Sequence, residues 1–150
     1  MALDAKVPME DVTYRVIGCA MKVHNQLGPG LTEMMYHRAL SRSMDEAGLS
    51  FEEQKCVEVA FEGKRLGLLY LDYLVEKSVV VEEKALSHLL TAEEVAQVVT
   101  YLAATGLPVG LLLNFGRSRL QYKRILRPTN VRSWPENAGR YLRKRVRVRA

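Results

Sequence analysis

From Met9 to Leu27 the apolar residues Val12, Val16, Ala20, Val23 and Leu27 recur at three- and four-residue steps, which predicts a helix with one buried face. Gly28-Pro29-Gly30 stops it, and a second helix is expected from about Leu31 to Ala47, with Gly48 as its C-terminal stop. The pattern then changes. Phe51 to Phe61, closed by Glu62-Gly63-Lys64, reads as a strand, and so do Leu66 to Val75 and Val79 to Lys84. Thr91 and Glu94 have the spacing of a capping box. Behind it Ala92, Val95, Ala96, Val99, Leu102 and Ala103 form an apolar stripe, so a third helix is expected over Ala92 to Thr105, ended by Gly106 and Pro108. Val109 to Phe115 is uninterruptedly apolar, as in a strand covered on both faces, and Leu120 to Leu126 is expected beside it. Trp134 to Arg147 adds a short basic helix. The order of helix, helix, three strands, helix and two strands predicts a mixed sheet flanked by helices, an α/β or α+β domain.

A chain of 150 residues suits one domain with a real core. No apolar run reaches the ~18 residues of a membrane span, and the first residues lack the basic-then-apolar pattern of a signal peptide. A cytoplasmic protein without a membrane partner is the expectation. Cys19 and Cys56 form no zinc motif and read as small core or edge residues, with a disulfide disfavoured in that compartment.

The net charge of +5 hides an asymmetry. Residues 1–116 carry ten Lys and Arg against sixteen Asp and Glu, whereas residues 117–150 carry twelve against one, Glu136. The chain is therefore divided into a domain over 1–128 and a basic extension over 129–150. Arg140, Arg143, Lys144, Arg145, Arg147 and Arg149 are the candidate nucleic-acid contacts, because a dense positive arm suits a polyanionic backbone. A solvated tail is the plainer alternative. An arm that holds a second subunit, in a homodimer, is another. Trp134 and Tyr141 suit packing better than base stacking.

Candidate chemistry lies in the hairpin of the second and third strands. With Glu76-Lys77-Ser78 as its loop, Val75 faces Val79 and Asp72 falls opposite Glu82. Paired Cβ atoms on facing strands are ~5 Å apart, and two carboxylates at that distance repel unless a cation lies between them. Mg²⁺ is usually held by one or two carboxylates with water and phosphate oxygens. Lys84 points to the side of Glu82, where it can hold an attacking water or offset phosphate charge. A two-residue loop would place Asp72 opposite Val81 and remove the argument. An exposed hairpin with charged outer positions is the plainer alternative. Gln97 and Tyr101 share a helix face, and for them the plainer alternative is a solvated Gln beside a packed Tyr.

Asp72, Glu82-Glu83-Lys84 and Gln97-Val-Val-Thr-Tyr101 together resemble the PD-(D/E)XK nuclease superfamily. Gly30-Leu-Thr-Glu33-Met-Met-Tyr36 resembles the signature of the small bacterial GxxExxY proteins, in a similarity that spans roughly residues 10–127. The resemblance implies a restriction-endonuclease-like α/β fold, Mg²⁺ or Mn²⁺ as cofactor, and DNA as substrate. It implies Asp72 and Glu82 as metal ligands, Glu33 as the acid that completes the metal site, Lys84 as the catalytic lysine, and Gln97 and Tyr101 as substrate-positioning residues. By charge alone Glu33 is also a first-turn glutamate at the positive end of its helix. A protein that keeps this fold, binds nucleic acid and no longer cuts is the alternative function. Leu71 stands where the superfamily has Pro. Glu83 occupies a position usually apolar, and must meet solvent or a partner, because a buried unpaired charge costs several kcal/mol.

Overall fold

The structure is a computed structural model that describes residues 9–128. The basic helix expected over 134–147 and the six basic residues from Arg140 to Arg149 lie outside the described residues.

Two helices open the fold, α1 (Glu10–Leu27) and α2 (Glu33–Glu46). They are followed by β1 (Phe51–Phe61), β2 (Lys64–Val75), β3 (Val79–Lys84), α3 (Ala92–Thr105), β4 (Val109–Asn114) and β5 (Gln121–Leu126). The sheet order is β1-β2-β3-β4-β5. Only the β3–β4 pair is parallel, as a strand–helix–strand crossover through α3 requires. The three other pairs are antiparallel.

Strand alternation divides the core into two layers. Val79 and Val81 of β3, with Val109, Leu111 and Leu113 of β4, pack against α1 and α2. Val80 and Leu112 pack against α3 with Val98 and Leu102. Both faces of β3 and β4 are thus covered, which accounts for their nearly continuous apolar runs. Gly110 is where α3 comes closest. A Cβ there would lie 2.5 Å from Val98 Cγ1, so any side chain would force Val98 or the helix that carries it to shift.

The ends of the elements follow their local chemistry. Thr91 and Glu94 form the capping box, with Thr91 N donating to Glu94 at 3.1 Å. α2 starts two residues later than expected, because the Thr32 hydroxyl accepts from Met35 N and caps the helix. β2 starts two residues earlier than expected. Glu62 and Gly63 both take positive φ and make a two-residue turn, so Lys64 already pairs with Phe61. Among the described residues no helix is long and apolar enough to cross a membrane. Cys19 and Cys56 are both free and buried.

Candidate active site

The β2–β3 hairpin has the three-residue loop, and Val75 pairs with Val79, Leu74 with Val80 and Tyr73 with Val81. This register sets Asp72 across from Glu82 as the next step, but the ladder stops one pair short of it. There the two acids take over the backbone groups that the parting strands leave unpaired. Asp72 N donates to Glu82 Oε1 at 2.9 Å, and Glu83 N donates to Asp72 Oδ2 at 2.8 Å. Each acid therefore binds the backbone of the other strand, and their carboxyl groups also hydrogen-bond to each other.

Asp72 sits at a fault in the alternation. Leu69 and Leu71 face α3, whereas Tyr73 and Val75 face α1 and α2. Gln54 lies across from Asp72 on β1 with φ of 48°, a left-handed conformation that costs a non-glycine residue energy. Such irregularities re-aim a side chain. Here they leave the Asp72 carboxylate at the fork between β2 and β3.

Burial and electrostatics follow from this placement. Glu82 is 3 % exposed. Its carboxyl is raised well above its ordinary value, first by burial, then by the charge of Asp72 and the hydrogen bond between the two acids, while Asp72 N and Lys84 pull it down. Lys84 ends β3, half-buried, and its carbonyl accepts from Phe115 N at 2.9 Å, which extends the parallel pairing by one step. Glu33 is exposed at the start of α2. Its carboxyl is raised by partial burial and by the charge of Asp72, and lowered by Lys84 and His37. The acids and Lys84 therefore act on each other at the open end of the sheet. Glu33 comes to them from α2, which packs on the side of the sheet opposite α3.

Gln97 and Tyr101 approach from α3. Gln97 Nε2 donates to Tyr101 Oη at 3.0 Å. The Tyr101 hydroxyl is pushed up to about 12, by burial first and then by the charges of Glu82 and Asp72, so it stays a neutral donor beside the acid pair. Lys84 and Gln97 also line an open cavity of about 450 Å³ with Leu86, His88, Thr91, Glu93 and Glu94. The loop that forms its floor is held from β4 by Asn114, which sequence reasoning passed over. Its Oδ1 accepts from Leu86 N at 2.8 Å, and its Nδ2 donates to the His88 carbonyl at 3.1 Å.

A family model for the PD-(D/E)XK nuclease superfamily matches residues 10–125, well over half of the chain. The chain belongs to the PD-(D/E)XK nuclease superfamily. No curated protein and no solved structure gives a significant match. Membership agrees with the five-stranded mixed sheet and flanking helices, an α/β fold of the restriction-endonuclease-like kind. PD-(D/E)XK nucleases act on nucleic acid and generally use divalent metal ions. Among the described residues no group of three His, Cys, Asp or Glu side chains is arranged to hold such an ion. The donor set still suits one. Two carboxyl groups in contact, one of them buried and raised, are what a hard divalent cation relieves, and Mg²⁺ needs no more than one or two carboxylates from the protein.

Two residues of this region carried little signal in the chain. Glu83 is 1 % exposed, and its partner is His37 of α2, whose Nδ1 lies 2.7 Å from Glu83 Oε2. His37 gave no motif. The only sign of it was a histidine four residues after Glu33 on a helix that had to bury something against β3. Tyr36, the last residue of the signature, is fully buried. It stacks on Phe115 at 4.9 Å and donates to the Gly28 carbonyl at 2.5 Å, which pins the loop before α2.

Proposed function

We propose that this protein is a metal-dependent deoxyribonuclease of the GxxExxY type, with Asp72 and Glu82 as metal ligands assisted by Glu33. The observation that carries the proposal is the Asp72–Glu82 pair at the strand fork, with Lys84 beside it. Such an arrangement is a poor choice for stability alone, because two acids face each other in a desolvated place. A divalent cation bound there supplies a water of lowered pKa and neutralises charge on the scissile phosphate. The protein's own contribution is positional. Asp72 and Glu82, with Glu82 ionised, present two oxygens held by backbone N–H groups. Lys84 offsets charge on the phosphate or steadies the attacking water, whose oxygen bonds to phosphorus as the bond to the leaving sugar oxygen breaks. The Gln97–Tyr101 pair orients the substrate or Lys84 from the other side of the cleft. Mg²⁺ or Mn²⁺ is the proposed ion and DNA the proposed substrate.

One observation favours a second reading, a nucleic-acid-binding protein that keeps the fold without cutting: the described residues offer two close carboxylates and not a cluster of three. Incubation of supercoiled DNA with the purified protein and Mg²⁺ or Mn²⁺ separates the two. Nicking or degradation is expected, with a loss of at least a hundredfold in Glu82→Ala and Lys84→Ala while both variants keep the wild-type circular dichroism spectrum. Equal cleavage by all three proteins identifies a contaminant. Binding without cleavage under either ion supports the second reading.

A further inference from the structure

His37 stands one helical turn after Glu33, on the same side of α2. Its ring lies flat on Tyr73, with centroids 4.4 Å apart and planes 12° from parallel. One nitrogen, Nδ1, meets Glu83 of β3 at 2.7 Å, and the other, Nε2, meets Glu53 of β1 at 3.1 Å. The Tyr73 hydroxyl donates to the His37 carbonyl at 2.7 Å. A single side chain thus ties α2 to three adjacent strands. Its grip on β3 is at Glu83, between Glu82 and Lys84.

Stability alone is a weak reason for this arrangement. Glu83 is almost fully buried, and its Oε1 has no hydrogen-bond partner. A buried ion pair seldom stabilises a fold more than apolar groups of the same shape. What the contact does achieve is registry. α2 presents Glu33 to Asp72 and Lys84, and the hydrogen bond to the sheet nearest to Glu33 on that helix is the His37–Glu83 bond. If α2 slides or tilts, Glu33 moves away from the acid pair.

We propose that His37 is a positioning residue: by holding Glu83 it fixes α2 on the sheet and keeps Glu33 in place to support a divalent cation at Asp72 and Glu82. This rests on the metal site of the proposed function. The groups that hold metal ligands in place are commonly worth ten- to a hundredfold in affinity.

The test is Mn²⁺ binding to the full chain, measured by calorimetry or by the loss of the free-ion electron paramagnetic resonance signal. The variant H37F/E83L removes both partners of the buried pair and leaves no buried charge unpaired, since Glu53 is half-exposed and keeps its bond from Ser41. It is expected to fold and to bind Mn²⁺ about 10- to 100-fold more weakly. Glu33→Ala is expected to lose a similar factor, and the triple variant no more than Glu33→Ala alone, because His37 acts through Glu33. His37→Gln, which keeps a donor for Glu83, is expected to recover most of the affinity. If H37F/E83L does not fold, the same cycle is run with H37F/E83Q, which keeps the volume at position 83 and still removes the bond, and coupling to Glu33 is expected there too. Wild-type affinity in the folded double variant, in which the His37–Glu83 bond is gone, or losses that simply add to that of Glu33→Ala, overturns the inference alone. Mn²⁺ binding that is the same in wild type and Asp72→Ala overturns the metal site, and the inference with it.

Discussion

At the residue scale, Glu82 carries two opposed demands. The fold favours its protonated form, because burial and Asp72 both penalise its charge. A cation needs it ionised. A carboxyl raised in the folded state binds its proton more tightly than in the unfolded chain. Its contribution to stability is therefore fully present below the ordinary carboxylate value of 4.5 and is lost as pH rises through the raised value. Without a divalent ion, stability attributable to this pair should decline from mildly acidic to alkaline pH. Glu82→Gln mimics the protonated state and keeps an oxygen for Asp72 N. At pH 8 without metal this variant should melt higher than wild type by about 4 °C, the shift expected for ~1 kcal/mol in a domain of this size. At pH 4 the difference should vanish. Mg²⁺ should raise the melting temperature of wild type at pH 8 and leave that of Glu82→Gln unchanged. A Glu82→Gln protein less stable than wild type at pH 8 would show that the acid pair is not desolvated as described. Glu83 differs: burial pushes it up to about 7 against the downward pull of His37, so the pH profile of wild type should keep a second feature near neutrality that Glu82→Gln retains.

At the scale of elements, what could be read from the chain was what local chemistry determines. The capping box at Thr91 and Glu94 is a short-range signal, and the helix it opens follows. The three-residue loop at 76–78 is another, and with Val75 opposite Val79 the position of Asp72 relative to Glu82 follows by counting. What could not be read depends on contacts between distant segments. The fault in alternation at Gln54 and Asp72 breaks the two-residue period that the counting assumes, and the His37–Glu83 bond joins residues 46 positions apart. The close approach of α3 to β4 is of the same kind. Gly110 inside an apolar strand looks like a local weakness until Val98 is placed above it. Gly110→Ala should destabilise the fold by about 1–3 kcal/mol, the usual cost of overpacking. It should also weaken cleavage more than stability predicts, since α3 carries Gln97 and Tyr101. Val98→Ala opens the space, so the double variant should regain stability and activity together in denaturant titrations and cleavage assays. No recovery in the double variant would place the strain elsewhere.

At the scale of the whole molecule, charge is unevenly divided along the chain. Residues 1–128 carry fifteen Lys and Arg against sixteen Asp and Glu, so the domain itself is close to neutral with an acidic site. Residues 129–150 carry seven against one. Among the described basic residues, Arg124 is tied to Thr13 Oγ1 at 3.0 Å and Arg117 to the Ser87 carbonyl at 3.1 Å, so part of the domain's positive charge is engaged within the protein. A near-neutral domain with a cluster of acids has little long-range attraction for a phosphate backbone. On the proposed function, affinity for DNA is expected to come largely from the extension. Each phosphate neutralised releases counterions, and the slope of log affinity against log salt is about −0.9 per contact on duplex DNA. Replacing Arg140, Arg143, Lys144, Arg145, Arg147 and Arg149 by Gln in the full chain should flatten that slope by about three to five and weaken binding at low salt by orders of magnitude. Single-turnover cleavage of DNA already bound at saturating protein should change little, because the acid pair and Lys84 are untouched. The measurement is a binding titration on one duplex at four or more salt concentrations, for wild type and the Gln variant. An unchanged slope would assign DNA affinity to the domain and leave the arm another task, and sedimentation of both proteins would then show whether that task is to hold a second subunit.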